Sequence, residues 1–341
     1  MFRRLPAEWE PQDGVLLAWP HADSDWRDHL ALVEQVFVHI ARAVSRFERL
    51  LIVAPVIEPV WQQLDQAGVD MQRVTLHRMG TNDTWARDFG PITVREGEAP
   101  VLFDFGFNAW GLKFAADLDN RITANLARAG AFGRSKVRIP GLVLEGGSIE
   151  SDGNGTLLTT AACLLSPNRN PHLDRQGIEL ALSELLGVSR FLWLENGYLA
   201  GDDTDAHIDT LARFCAADTI AYIRCDDPTD EHFAALTAME AELRAFRTAG
   251  GQPYRLVPLP WPQPCFATDG HRLPATYANF LIINGAVLVP TYGVPQDGAA
   301  LATIGRLFPD REIVAIDCRP LIAQHGSLHC VTMQIPQGVL P

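Results

Sequence analysis

The chain has 341 residues, 47% of them hydrophobic, with 41 acidic side chains against 28 basic and a formal charge of −13. This composition supports a large buried core and excludes global disorder. The acidic excess argues against a nucleic-acid partner, which needs a basic face, and suits a small cationic guest. No run of 18 apolar residues occurs, since residues 50–56 and 280–290 are broken by proline, asparagine or glycine, so no membrane span is expected. The opening MFRRLPAEWEPQDG has two arginines with no apolar stretch behind them, which argues against a secretory signal and leads to an expected cytoplasmic location. Six cysteines (Cys163, Cys215, Cys225, Cys265, Cys318, Cys330) lie far apart without a C-x-x-C pair, so neither a disulfide framework nor a zinc knuckle is expected.

In chain order, a strand is predicted at 15–19, then a helix over 26–47 with Leu30, Val33, Phe37, Ile40 and Val44 at helical spacing. A strand at 50–54, a helix at 60–67 and a strand at 74–79 follow. From there one unit recurs: a hairpin, a helix and a third strand. Its copies are 92–95 with 101–107, helix 116–128 and a strand near Val137; then 142–150 with 156–160, helix 173–186 and strand 191–194. The next are 208–215 with 219–224, helix 231–248 and strand 254–258; then 277–283 with 286–290, helix 298–307 and strand 312–317. Ser151-Asp152-Gly153-Asn154-Gly155 and Asn284-Gly285 supply the turn chemistry. One strand, 329–335, is left over, while the first unit lacks one hairpin strand. Pairing 329–335 with 15–19 would close five α/β units on themselves and remove open sheet edges. The expected architecture is therefore a closed, pseudo-fivefold, five-bladed α/β propeller forming one catalytic domain over 1–341.

Four segments are unusually polar for their apolar setting: 81–91, 145–148, 201–209 and 325–330. Each lies in or just before the first hairpin strand of a different unit, so closure would bring them to one axial point. His207-Ile208-Asp209 on an extended segment would place both polar side chains on one face. A metal half-site is disfavoured there, because no second histidine cluster sits at ligand spacing. Cys330 is a buried structural thiol on base rates, but a thiol with a distant histidine is also the arrangement of covalent catalysis. Asp88, Glu145, Asp209 and Asp203 would raise the pKa of such a thiol, which makes sense if the guest brings positive charge. A guanidinium does so, as a flat cation that paired carboxylates hold by charge-assisted bonds. Trp85 could lie over its plane. Arg87 is expected to pack and to pair with Asp83 and Asp88 beside it.

The segments TNDTWARDFGP, LEGGSIESDGNGTLLTT, LSPNRNP, TDAHIDTLARF, NFLIINGAVLVP and HGSLHCVTMQIP, with the opening LPAEWEPQDGVLLAWP, together resemble the agmatine deiminase family, in the branch grouped with bacterial peptidyl-arginine deiminase. The likeness runs nearly end to end. It implies the pentein-type five-bladed propeller of the guanidine-modifying enzymes. It also implies Cys330 as nucleophile, His207 as general acid/base, Glu145 as its orienting carboxylate, and Asp88 and Asp209 as the guanidinium grip. Trp85, Asn279 and Asp203 are expected to contact substrate. No metal or organic cofactor is implied, and a homodimer is. Three departures from the pattern concern the substrate's tail: His325-Gly326-Ser327-Leu328 in place of Gly-Gly-Gly-Asn, Ala206 in place of glycine, and Phe89 in place of a smaller residue.

The expected reaction is agmatine plus water to N-carbamoylputrescine plus ammonia, through an amidino-cysteine. The alternatives are deimination of arginine or peptidyl arginine, amidino transfer to an amine, and non-catalytic binding of polyamines or arginine-like cations.

Overall fold

A computed structural model describes residues 3–341. Five mixed sheets share one plan: an antiparallel hairpin, then a crossover to a third strand parallel to the second. They are Ile92–Glu96, Ala99–Phe103 and Lys136–Arg138; Ile149–Ser151, Thr156–Thr160 and Arg190–Leu194; Ala212–Ala216, Thr219–Ile223 and Arg255–Leu259; and Leu281–Ile283, Ala286–Thr291 and Glu312–Asp317. The fifth joins the two ends of the chain. Thr332–Pro336 runs antiparallel to Gln12–Ala18, with Thr332 opposite Leu17 and Gln334 opposite Val15, and Arg49–Ala54 and Val74–Arg78 extend the sheet in parallel. The hairpin strand missing from the N-terminus is thus supplied from the other end. The sheets are separate, and none is itself closed.

Parallel third strands require long crossovers, and helices provide them. Leu30–Val44 buries Val33, Val36, Phe37, Ile40, Ala41 and Val44, the stripe that its spacing predicts. Central strands such as Thr156–Thr160 and Thr219–Ile223 are buried throughout, which explains why they read as continuous rather than alternating patterns. Polar pins tie neighbouring sheets together: Gln12 Nε2 donates to the Ile282 carbonyl at 2.9 Å, and Asn284 Nδ2 to the Gln12 carbonyl at 2.8 Å.

The first hairpin strands begin later than expected. Strands predicted from 142, 208, 277 and 329 start instead at Ile149, Ala212, Leu281 and Thr332. Tight turns precede them: Gly146–Ser148 and Ile208–Thr210 are single 3-10 turns, as Ala86–Phe89 before Ile92–Glu96 is one α turn. Three- or four-residue turns are too short to impose a period, so they read as strand in sequence. The extended His207-Ile208-Asp209 is therefore corrected to a turn. The helix predicted over 116–128 is also shorter, a 3-10 turn from Asp119 followed by Ile122–Arg128. Ahead of it lies a left-handed turn, Ala109–Leu112, with positive φ at all four residues.

Among the described residues no helix is long and apolar enough to cross a membrane.

Candidate active site

The turns that lead into the hairpin strands converge. Asp88, Glu145, Asp209 and Asn279 all lie on such turns or beside them, and all are buried, as is Cys330 just ahead of Thr332. Gly147 marks the meeting point. A Cβ there would stand 2.6 Å from His207 Nδ1, 3.0 Å from Asp88 Oδ1 and 3.1 Å from Asp209 Oδ2. Only glycine lets three polar side chains approach the backbone so closely.

A cavity of about 260 Å³ opens onto this point. Cys330 and Asp88 are its most buried polar groups; Trp85, Trp110 and Phe114 form aromatic walls; Asp25, Asp83, Asp203 and His325 add polar edges. No lysine or arginine lines it. Gly326 fits against the face of Trp85, where a Cβ would come within 2.0 Å of the ring, so the indole is locked in place.

Asp88 accepts from Trp110 Nε1 and from the Gly147 N–H, both at 2.9 Å. Its carboxyl is held well above the usual range, by burial first and then by Asp209 and Glu145. Asp209 is different. Burial pushes it up, but the hydrogen bond and charge of His329 outweigh that, so it titrates below its ordinary value. His329 Nδ1 holds Asp209 Oδ2 at 2.7 Å, while Oδ1 is buried without a partner.

His207 faces Asp88 Oδ1 at 3.6 Å and Glu145 Oε2 at 3.9 Å, too far for hydrogen bonds. Both its ring nitrogens are buried and unpartnered, and burial lowers its pKa to about 3. Arg169 donates its single Nε–H to both oxygens of Glu145, at 3.0 and 2.9 Å. Arg169 in turn reaches Asp205 at 2.6 Å and the Thr204 carbonyl at 2.9 Å, linking the interior to the cavity's edge. The Cys330 thiol is pushed well above its ordinary pKa by burial, then by Asp209 and Asp88. Three orphaned buried atoms, two on His207 and one on Asp209, call for a polar guest, because leaving such groups unpaired costs about 1–3 kcal/mol each.

Of the residues expected from sequence, Cys330, Asp88, Trp85 and Asp203 line the cavity, with Asp203 half-exposed and 3.8 Å from His325 Nε2. His207 and Asp209 gather behind them at Gly147, with Glu145 beyond His207. Asn279 departs from expectation. Its Oδ1 accepts the N–H of His329 at 2.8 Å and of Cys330 at 3.3 Å, and lies 3.4 Å from the thiol. Its amide nitrogen donates to the Asp209 carbonyl at 3.3 Å. It fixes the backbone at His329 and Cys330 and does not line the cavity. Arg87 is also corrected: it pairs with Glu8, at 3.6 Å, and with Gln334, and its N–H bonds the Cys330 carbonyl at 3.1 Å. Asp88, its neighbour on a one-turn helix, points away from it, and Asp83 lies ahead of that helix and accepts from Trp26 Nε1 at 2.7 Å.

Sequence reasoning gave no role to Trp110, Arg169, Glu8 or His329. Glu8, between Ala7 and Trp9, offers the signal of a charge in an apolar setting, whereas Arg169, among Pro167, Asn168, Asn170 and Pro171, offers none. Cys163, a second buried thiol, lies with Sγ 4.0 Å from Glu145 Oε2 and does not line the cavity.

A profile of the family described as Porphyromonas-type peptidyl-arginine deiminase matches residues 4–336. Agmatine deiminase of Pseudomonas putida is 35% identical, with 98% of this chain and 96% of that protein covered. A solved structure from Porphyromonas gingivalis is 53% identical, with a TM-score of 0.95 over 99% of this chain and 100% of that one. A cysteine-to-serine variant of C. jejuni agmatine deiminase with substrate bound is 38% identical, with a TM-score of 0.92 over 99% and 97%. A dimethylarginine dimethylaminohydrolase at 11% identity, with a TM-score of 0.52 over 95% and 100%, shares the fold alone. The fold is thus an α/β pentein, and the chain belongs to the Porphyromonas-type peptidyl-arginine deiminase family that the end-to-end match to agmatine deiminases also marks.

Proposed function

We propose that this protein deiminates agmatine by hydrolysis, with Cys330 as nucleophile and His207 as proton carrier. It is a hydrolase acting on the C–N bonds of amidines. The observation that carries the reading is one cavity holding a thiol and Asp88, with the orphaned atoms of His207 and Asp209 beside it. A guanidinium's N–H groups match Asp88 and the free Oδ1 of Asp209. Its charge also offsets the share of the thiol's raised pKa that Asp209 and Asp88 contribute.

In the free enzyme thiol and imidazole are both neutral. Once the cation is seated, the thiol proton passes to His207 and Sγ bonds to the guanidinium carbon. His207 then returns the proton to the departing nitrogen as its C–N bond breaks, and ammonia leaves. An S-linked amidino group remains. Water adds to the same carbon and gives one proton to His207; as the C–S bond breaks sulfur recovers that proton, the surplus proton of the amidino cation passes to solvent, where ammonia takes it up, and the neutral ureido product leaves. Asp88 and Glu145, on the two sides of the imidazole, stabilise its cationic form in passing. The carboxylates Asp25, Asp83 and Asp203, with no lysine or arginine in the lining, favour a substrate tail ending in an amine over the carboxylate of free or C-terminal arginine.

Incubation with agmatine should release ammonia and a ureido product in equal amounts, and acid-quenched enzyme should carry an amidino adduct on Cys330 by mass spectrometry. Binding without ammonia would sink the reading, and product formation only with an added amine would indicate amidino transfer.

The five sheets and the joined chain ends also support one closed five-bladed ring, acting as a single catalytic domain over 1–341. Six free thiols agree with a reducing, cytoplasmic setting.

A further inference from the structure

Behind Cys330 lies a buried charged cluster that the reaction above does not use. His329 is bonded on both sides: Nδ1 to Asp209 Oδ2 and Nε2 to Glu8 Oε2, each at 2.7 Å. Glu8 also accepts the Ile282 N–H at 2.7 Å and meets Arg213 at 3.0 Å and Arg87 at 3.6 Å. Arg213 pairs with Glu150 and donates to the carbonyls of Ala278 at 3.2 Å and Phe280 at 2.6 Å.

We infer that His329 is a positioning residue, a two-sided strut that fixes Asp209 by one oxygen so that the other stays free for the substrate's guanidinium. The inference rests on the proposed reaction. A neutral imidazole has one N–H and can donate to one carboxylate only. Two short contacts to carboxylate oxygens therefore require two bridging protons along Glu8–His329–Asp209. Burial, with Arg213 and Arg87 nearby, favours the neutral ring; the pair of carboxylates holds the second proton there. The charges then balance. Glu8, Glu150 and Asp209 give three negative charges, Arg87 and Arg213 two positive, and the bridging proton the third. Asp209 can thus stay ionised in the interior, while Asp88, which has no cationic neighbour among its contacts, is raised.

The two nitrogens can be separated by substitution. The amide nitrogen of asparagine stands near Nδ1 and that of glutamine near Nε2. His329→Gln should keep the Glu8 contact and lose Asp209; its KM for agmatine should rise about tenfold or more while kcat falls less than about threefold, since a cation is gripped in ground and transition states alike. His329→Asn should recover most of that KM. Equal impairment of both variants, or a loss confined to kcat with KM unmoved, would overturn the assignment. Histidine-¹⁵N NMR of the ligand-free wild type at pH 8, assigned with His329→Asn, gives a readout independent of substrate. Both His329 ring nitrogens should carry protons; a single N–H would refute the strut. If agmatine is not turned over by the wild type, the proposed reaction fails while the NMR result still decides the strut.

Discussion

Behind the thiol, Glu8, Arg87, Glu150, Arg213 and His329 are all buried and each has a charged partner, whereas around the cavity's edge six non-glycine residues hold left-handed backbone. Those six, Ala109, Trp110, Leu112, Asp205, Ala206 and His325, are the complete set of non-glycine residues with positive φ among the described residues. Trp110 and His325 line the cavity itself, and Lys113, next to Leu112, pairs with Asp205 at 2.8 Å. One region is fixed by charge pairing and the other stores strain of about 1–2 kcal/mol per residue. Strain of this kind persists only where surrounding contacts over-determine it, and it marks functional edges. The interior supplies fixed electrostatics; the edge supplies the aim of Trp110 at Asp88.

The comparison can be tested at four points. Cys330→Ser should lower ammonia release from agmatine by about 10³-fold or more, because a hydroxyl is a far weaker nucleophile. Cys163→Ser should keep most activity, and the reverse ranking would move the nucleophile to the other side of Glu145. In the charged interior, Glu8→Gln leaves Arg213 and Arg87 short of a counter-charge and should cost about 3 kcal/mol or more. A lower urea midpoint at unchanged slope would register it, and an unshifted midpoint would refute the view that these pairs hold the interior.

Between the two regions, His207 is kept neutral by burial, with a pKa of about 3. Between pH 6.5 and 3 the unfolded chain binds a proton at this position that the native state does not, so native stability from this group rises with pH and is lost on acidification. Other carboxyls, such as Asp119 at about 8 and Glu48 at about 7, work in the opposite sense, so the difference between two proteins is the clean measurement. On going from pH 7 to pH 5, His207→Gln should gain about 2 kcal/mol on the wild type. At the strained edge, Leu112 is 75% exposed at φ 68°. Leu112→Gly should therefore stabilise the protein by about 1 kcal/mol, with little burial lost. A destabilised Leu112→Gly protein would mean that the turn is not strained.

Much of this was legible in the sequence because it is local. Asn284-Gly285 and the run 151–155 marked their hairpins, the apolar stripe of Leu30–Val44 marked its helix, and an unmatched last strand pointed to Gln12–Ala18. Polar segments ahead of strands located Asp88, Glu145, Asp209 and Cys330. What stayed hidden lacks a local signature. Ala109-Trp110-Gly111-Leu112 carries one glycine for four left-handed residues, and tertiary bonds, such as that from Trp110 to Asp88, hold the rest. Glu8 meets His329 across 321 positions, and no periodicity reports such a contact. Asn279 looked like a substrate ligand because polarity at a strand's start does not say which way an amide turns.

The pairing of Thr332–Pro336 with Gln12–Ala18 also has a temporal meaning. During synthesis the strand at 12–18 is made long before its antiparallel neighbour at 332–336. Until residue 336 has left the ribosome, that edge stays open, and the same missing segment carries Cys330 and the His329 contact to Glu8. A chain cut before this segment lacks Cys330 and one sheet strand at once, so in the proposed reaction the nucleophile arrives with the strand that seals the first unit.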